Sequence, residues 1–207
     1  MNTSTSRRLI LASSSVYRRE LLSRFGLTFE SQSPNIDESA RANESPRDTA
    51  LRLAKEKAVV VARDNPLAVV IGSDQVACIG ERRLEKPGNA QRALEQLLLQ
   101  RGQVCDFHTA VSVATHAGAQ VISDLVTTHV RFRSADELTE ARLNRYIEID
   151  QPFDCAGAAK SEALGITLIE SLEGPDPTAL IGLPLIALSR LLCDIGFDPL
   201  QPLSRVD

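Results

Sequence analysis

Short apolar runs alternate with amphipathic stretches along the whole chain, and Ser, Pro and Gly mark most of the joins. Leu9 to Ala12 is wholly apolar and reads as a buried strand. Ser13-Ser14-Ser15 then caps a helix through about Phe25, with Leu21, Leu22 and Phe25 on one face and Gly26 at its end. Thr28 to Gln32 reads as a second strand, and Pro34 to Glu44 as a polar loop. Ser45-Pro46-Arg47-Asp48 offers a cap, a proline for the first turn and an acid beside the helix dipole, so a helix is expected to about Asn65. Ala68 to Ile79 is β-branched and apolar, a central strand that Gly72-Ser73-Asp74-Gln75 should interrupt with a polar break. Arg82 to Asn89 reads as a loop and Ala90 to Leu99 as a helix. Phe107 to Thr115 and Gln120 to Arg133 read as two strands joined by a turn at His116-Ala117-Gly118. Ser134-Ala135-Asp136-Glu137 is a capping box that should open a helix to about Ile149. Pro152 to Lys160 reads as irregular, Ile166 to Glu170 as a last strand, Gly174-Pro175-Asp176-Pro177 as a turn, and Pro184 as the start of a helix to about Ile195.

This alternation implies an α/β layered fold. The short turn between the Phe107 and Gln120 strands requires antiparallel pairing, so the sheet is expected to be mixed and partly antiparallel, with flanking helices. No linker divides the chain, so residues 1–207 are expected to form one domain, with residues 1–7 as a disordered polar tail.

Composition narrows the function. The 207 residues carry 23 basic and 27 acidic side chains, a net charge of −4, and 43% are hydrophobic. That is ordinary globular composition, and its mild acidity argues against coating a nucleic-acid polymer. No apolar run reaches the ~18 residues a membrane span needs, and no signal-peptide core is present, so a cytoplasmic location is expected. Cys78, Cys105, Cys155 and Cys193 include no C-x-x-C and read as thiols; the three His form no metal-binding pair. Only four of the basic residues are Lys: Lys55, Lys57, Lys86 and Lys160. Genomic composition explains an arginine excess, yet a few sites need the compact ammonium that Lys alone supplies.

Four stretches carry candidate chemistry. Ser13 to Arg19 joins hydroxyls and guanidiniums to a helix N-terminus, which suits either a phosphate or a plainly solvated helix start. Asp37-Glu38 lies on a polar loop, as solvated charge or as carboxylates for Mg²⁺ held with substrate phosphates. Lys55 and Lys57 are two residues apart and must point to different helix faces; Ala54 and Ala58 leave room for Lys57 to reach inward. Asp74 lies within an apolar strand, where an unpaired carboxylate is costly and so needs a partner, a metal or a role. Gly72 beside it permits close backbone approach. Lys86-Pro87 and the Asp154–Glu162 stretch are weaker signals of a loop lining a site. Neither a G-x-G-x-x-G nor a Walker phosphate motif is present.

Taken in order, Leu9 to Arg19, Asp37-Glu38, Leu53 to Ala58, Gly72 to Val76, Lys86-Pro87, Cys155-Ala156-Gly157, Lys160-Ser161-Glu162 and Gly182 to Leu185 resemble the motifs of Maf proteins. These are nucleoside triphosphate pyrophosphatases, first associated with septum formation. The resemblance implies a two-lobed, ITPase-like fold around a central cleft. Within the family Ser73-Asp74-Gln75 and Lys160-Ser161-Glu162 look most like the YceF subgroup, which hydrolyses 7-methyl-GTP. Tyr17 stands where that subgroup has Trp, and Val16 replaces its Pro.

The resemblance implies a role for each candidate. Asp74 activates the attacking water or binds metal, and Glu38 is the second ligand of Mg²⁺ or Mn²⁺. Lys57 and Lys86 neutralise the triphosphate. Ser13, Ser15 and Arg18 hold phosphate oxygens, with Lys55 as a further candidate. Tyr17, Gln75 and Glu162 set the base preference, although Gln75 has the alternative of holding its loop. A ring at Tyr17 can stack on a cationic base, and Glu162 can accept from the adjacent N–H donors of guanine. A nucleoside triphosphate is then the expected partner, and the sequence leaves a homodimer open. The alternatives are a dTTP/UTP or other modified-nucleotide pyrophosphatase of the same family, or a non-catalytic division-associated protein.

Overall fold

The structure is a computed structural model and describes residues 7–200. The expected N-terminal tail lies outside the described residues except for Arg7, whose Nη1 donates to the Ile195 carbonyl at 3.4 Å. A single sheet runs through the molecule in the order β2 (Glu30–Ser31), β1 (Leu9–Ala12), β3 (Val69–Ile79), β5 (Val104–Thr115), β6 (Gln120–Phe132) and β7 (Ile169–Glu173), with β4 (Arg82–Leu84) paired to β3 off this path. β1 pairs parallel with both β2 and β3, and the β3–β4, β3–β5, β5–β6 and β6–β7 pairs are antiparallel. The mixed α/β architecture expected from the alternation is therefore present.

Five α-helices cover the sheet among the described residues: α1 (Val16–Ser23), α2 (Pro46–Asp64), α3 (Ala90–Gln100), α4 (Glu140–Asp150) and α5 (Leu185–Asp194). One face carries α2, whose Ala54, Ala58 and Ala62 pack against β1 and β3. Small residues there let the helix lie close to the strands. The other face carries two cores. Leu21 and Leu22 of α1 and Leu188 of α5 meet Leu11 and Ile71 in the first. Leu97 of α3 and Leu143 of α4 meet Phe107 and Val130 in the second. Burying each such leucine contributes roughly 1.5–3 kcal/mol. A turn at Ala179–Ile181 straddles both: Ala179 and Leu183 belong to the first core, and Leu180 packs on the second.

Several expectations need correction. β3 is one unbroken strand, because Ser73, Asp74 and Gln75 all keep their ladder partners Val111, Ala110 and Thr109 on β5. The capping box forms, with the Glu137 amide donating to Ser134 Oγ at 3.4 Å and the Ser134 amide to Glu137 at 3.3 Å, yet it closes only a local turn. The helix starts later, capped by Thr139. The last strand begins at Ile169 instead of Ile166, because a 3-10 segment occupies Leu164–Leu168. There Gly165 abuts the Lys160 backbone so closely that a Cβ would lie 2.4 Å from its carbonyl oxygen. The expected second strand shrinks to Glu30–Ser31, and the loop after Ile79 contains β4. No described helix is long and apolar enough to cross a membrane.

Candidate active site

The cleft opens at the C-terminal end of β1, where the chain leaves the sheet to start α1. Ser13 Oγ accepts from the Ser15 amide at 3.1 Å, and Ser15, the helix cap, accepts from the Arg18 amide at 3.4 Å. The amides of Val16 and Tyr17 open the helix and have no intrahelical acceptor. They point the positive end of α1 into a cleft of about 490 Å³ lined by Ser13, Arg18, Glu38, Lys57, Lys86 and Asp154, among others.

Close packing of α2 builds the floor. A Cβ on Gly72 would lie 2.2 Å from the Ala54 carbonyl oxygen and 2.6 Å from the Ala58 amide nitrogen, so only glycine lets β3 and α2 approach this far. That approach brings the Lys57 ammonium to 2.7 Å from Asp74 Oδ1 and 2.7 Å from Glu38 Oε1. Lys57 and Asp74 are 4% and 6% exposed, so neither could be buried alone without a large cost. Burial opposes ionisation of Glu38, but the hydrogen bond and charge of Lys57, with Lys86 and Arg18 nearby, prevail and hold its pKa below the ordinary carboxylate value. Burial lowers the Arg18 pKa against the opposing pull of Asp74 and Glu38.

The loop that carries Glu38 is tied back to α2. Arg52 Nε donates to Glu44 Oε1 at 2.6 Å, and Arg52 Nη2 donates both to Glu44 Oε2 at 2.8 Å and to the Ser39 carbonyl at 3.0 Å. Nothing local in the sequence marks this clamp, because Glu44, Arg52 and Ser39 are brought together only by the fold.

At the mouth, burial raises the Tyr17 phenol pKa, and Cys155, Asp154 and Glu162 add to the effect. Burial likewise pushes the Cys155 thiol up to about 12, so it stays protonated. Glu162 is exposed on the loop after Lys160. The Tyr146 hydroxyl anchors that loop: it donates to the Ala158 carbonyl at 3.2 Å and accepts from the Lys160 amide at 3.0 Å. Lys160 Nζ donates to the Asp150 carbonyl at the end of α4.

The described residues matching the Maf-like protein family run from 8 to 195. The chain belongs to the Maf family. A 7-methyl-GTP pyrophosphatase of Aromatoleum aromaticum is 54% identical over 185 residues, 89% of this chain and 94% of that protein. A 7-methyl-GTP pyrophosphatase of Bordetella pertussis is 49% identical over 193 residues, 93% of this chain and 94% of that protein. The crystal structure of a nucleoside-triphosphatase, a dITP/XTP pyrophosphatase from Mycobacterium abscessus, aligns with 70% of this chain and 94% of its own at a TM-score of 0.40 and 17% identity.

Three residues that the Maf resemblance assigned to substrate, Lys55, Gln75 and Glu162, are not among those lining the cleft, and Asp74 lies beneath the lining, reached through Lys57. Lys55 is exposed on the far side of α2, beside Val59 and Arg63, because two helical positions rotate it about 200° from Lys57. Gln75 faces away from Asp74, because successive strand residues point to opposite sides of the sheet. Its amide donates to Thr109 Oγ1 at 2.9 Å and to the carbonyls of Ala179 and Leu180, each at 3.0 Å. Of its two sequence-level readings, holding a loop is the one these contacts match. Sequence reasoning missed Gly182, whose carbonyl accepts from Arg18 Nε at 2.9 Å. It also missed Asp176, a buried carboxylate that accepts from Thr178 and from the Ile186 and Ala187 amides at the start of α5. An acid ahead of a helix start was the available signal for Asp176; Gly182 stood in a motif of the resemblance, but nothing in it pointed to Arg18.

The donor set of this Maf chain suits a divalent cation held with substrate. Two carboxylates already converge on one cation, the Lys57 ammonium, with one oxygen of each engaged. No group of three or more His, Cys, Asp or Glu able to hold a metal alone occurs among the described residues. One or two carboxylates completed by phosphate and water oxygens is the usual arrangement for Mg²⁺.

Proposed function

We propose that this chain is a nucleoside triphosphate pyrophosphatase that hydrolyses 7-methyl-GTP to 7-methyl-GMP and pyrophosphate. The observation that carries the reading is the buried Lys57–Asp74 pair at 2.7 Å on the floor of a cleft edged by Arg18, Lys86 and an open helix N-terminus. The two 7-methyl-GTP pyrophosphatases about half identical to this chain support the choice of base.

On this reading the Ser13 and Ser15 hydroxyls, the Val16 and Tyr17 amides and the Arg18 guanidinium hold phosphate oxygens. Lys57 and Lys86 offset the charge of the triphosphate and of the leaving pyrophosphate, which is the main demand of phosphoryl transfer. Asp74 takes the proton of the water that attacks the α-phosphorus. The bond from that phosphorus to the bridging oxygen breaks, and pyrophosphate leaves with the electron pair. Glu38 and Asp74 would hold Mg²⁺ or Mn²⁺, which when bound supplies further positive charge at the phosphates. The Tyr17 ring stacks on the N7-methylated base, whose positive charge favours an aromatic face by roughly 0.5–2 kcal/mol. Glu162 accepts from the guanine N–H edge and adds charge attraction. The substrate is a free nucleotide of the cytoplasm, with no membrane or nucleic-acid polymer involved.

The test is pyrophosphate release by the purified protein with Mg²⁺ or Mn²⁺ across a nucleotide panel. Preference for 7-methyl-GTP is the expected result. Preference for dTTP or UTP would overturn the base assignment, and silence across the panel would overturn the activity.

A further inference from the structure

The segment from Asp154 to Lys160 is irregular, yet two buried side chains hold its backbone against the second core. Gln100, the last residue of α3, is completely buried, and its Nε2 donates to the Gly157 carbonyl at 2.7 Å. The Tyr146 ring packs within the second core. Its hydroxyl donates to the Ala158 carbonyl at 3.2 Å and accepts from the Lys160 amide at 3.0 Å. These bonds hold an unusual backbone, because Gly157 and Ala158 are both left-handed, with φ of +69° and +54°. Glycine adopts that conformation freely, whereas alanine does so only where its surroundings impose it. Ala158 is completely buried, so its carbonyl has no water to replace the tyrosine.

This backbone carries the mouth of the cleft. Asp154 lines the cleft. Cys155 and Glu162, on either side of the held residues, both sit near enough to the Tyr17 phenol to add to the effect of burial on its pKa. Glu162 follows Lys160 by two residues, and its side chain has no hydrogen-bond or ion-pair partner among the described residues. Its place is therefore set by the backbone before it. Lys160 is also held from its other side by Gly165, where a Cβ would lie 2.6 Å from the Lys160 amide nitrogen. A loop fixed in this way loses little freedom when a ligand binds, whereas a loose one must be ordered by the ligand at a cost in affinity.

We propose that Tyr146 is a positioning residue for base recognition: its hydroxyl locks Ala158 and Lys160, and through them sets where Glu162 stands relative to the Tyr17 ring. Gln100 supports the same backbone one residue earlier. The proposal rests on the reading of Tyr17 and Glu162 as the groups that meet the base. Tyr146 itself does not line the cleft.

Tyr146→Phe keeps the ring in the core and deletes the hydroxyl alone. Two ligands read its effect without turnover: 7-methyl-GMP, which has the base, and inorganic pyrophosphate, which has none, each measured calorimetrically in Mg²⁺ buffer. The variant should bind 7-methyl-GMP about tenfold more weakly, the scale of one lost hydrogen bond, and should bind pyrophosphate as the parent does. Hydrogen exchange should rise in the peptide from Cys155 to Glu162 and stay at the parent level in α2. In a Glu162→Gln background, Tyr146→Phe should cost little further affinity for 7-methyl-GMP. Gln100→Met, which removes the donor to Gly157, should act in the same direction and decides the matter if Tyr146→Phe does not fold. Unchanged 7-methyl-GMP binding, equal losses on both ligands or unchanged exchange over the loop would overturn the proposal. So would additive losses with Glu162→Gln, or no binding of 7-methyl-GMP by the unaltered protein. If Glu162→Gln alone leaves 7-methyl-GMP binding unchanged, the base reading of Glu162 fails and the proposal with it. A silent nucleotide panel with 7-methyl-GMP still bound would instead sink the activity, and the binding losses would still decide the role of Tyr146.

Discussion

Lys57 and Asp74 lie 17 positions apart, on a helix and on the strand beneath it, and their charged atoms meet at 2.7 Å where both side chains are almost completely buried. Asp74→Asn keeps the shape and an acceptor for the ammonium but removes the base. Glu38 still pairs with Lys57, so the variant should fold. Pyrophosphate release should fall to near background, measured beside a thermal melt that shows a cooperative transition. Retained turnover would sink the assignment of Asp74 as the base.

Gly72 controls whether that pair forms. A methyl group there would lie 2.2 Å from the Ala54 carbonyl oxygen, so Gly72→Ala must push α2 off β3. Overpacking of this kind costs typically 1–3 kcal/mol, here about the upper end because the obstruction is backbone. Urea titration should show the loss of stability. Folded variant should lose activity as well, because the helix that moves carries Lys57.

Glu162 tests the base reading independently of the phosphates. Glu162→Gln removes a negative charge and one acceptor at the mouth of the cleft. KM for 7-methyl-GTP should rise about tenfold, the scale of one charge-assisted hydrogen bond. KM for an uncharged pyrimidine nucleotide should barely change. An equal loss on every nucleotide would contradict a role in reading the base.

Glu44 links pH to the shape of the cleft. Its hydrogen bonds from Arg52 hold its pKa far below the ordinary value of 4.5, against some opposing burial. A carboxylate depressed in the folded state stabilises it above the unfolded pKa, and the stabilisation is lost as pH falls through the folded one. Glu44→Gln should therefore be less stable than the parent at pH 7, and the gap should narrow steadily as pH falls from 4.5. Chemical denaturation across that range measures it. A pH-independent gap would mean that the Arg52 pairing contributes nothing.

Much of the frame was legible because its signals are local. Ser45-Pro46 marks the start of α2 within one turn, and the 3.6-residue period already separates Lys57 from Lys55. Asp74 stood out because a carboxylate in an apolar strand needs a reason. Long-range relationships were not legible. Ser73 and Gly182 are 109 residues apart, and no local pattern says that they meet. The Ser134–Glu137 box misled for the opposite reason: its hydrogen bonds are local and real, but the core residues that would extend a helix begin only after Thr139. Gln75 had two readings in the sequence; the alternation of the strand turns it toward the Ala179–Leu180 carbonyls, which no local pattern foretold.

That alternation has a consequence for how the protein can change. In β3 the carboxylate that pairs with Lys57 and the side chains that touch the Ala179–Gly182 turn occupy adjacent positions on opposite sides, Ser73 and Gln75 one way and Asp74 the other. Inserting or deleting a single residue ahead of them would exchange the two sets, leaving a hydroxyl against Lys57 and a carboxylate facing carbonyl oxygens. The strand is thus intolerant of length change, whereas the loop from Asp154 to Glu162 sits outside the sheet register. That loop can change in length or sequence while the Lys57–Asp74 floor stays as it is.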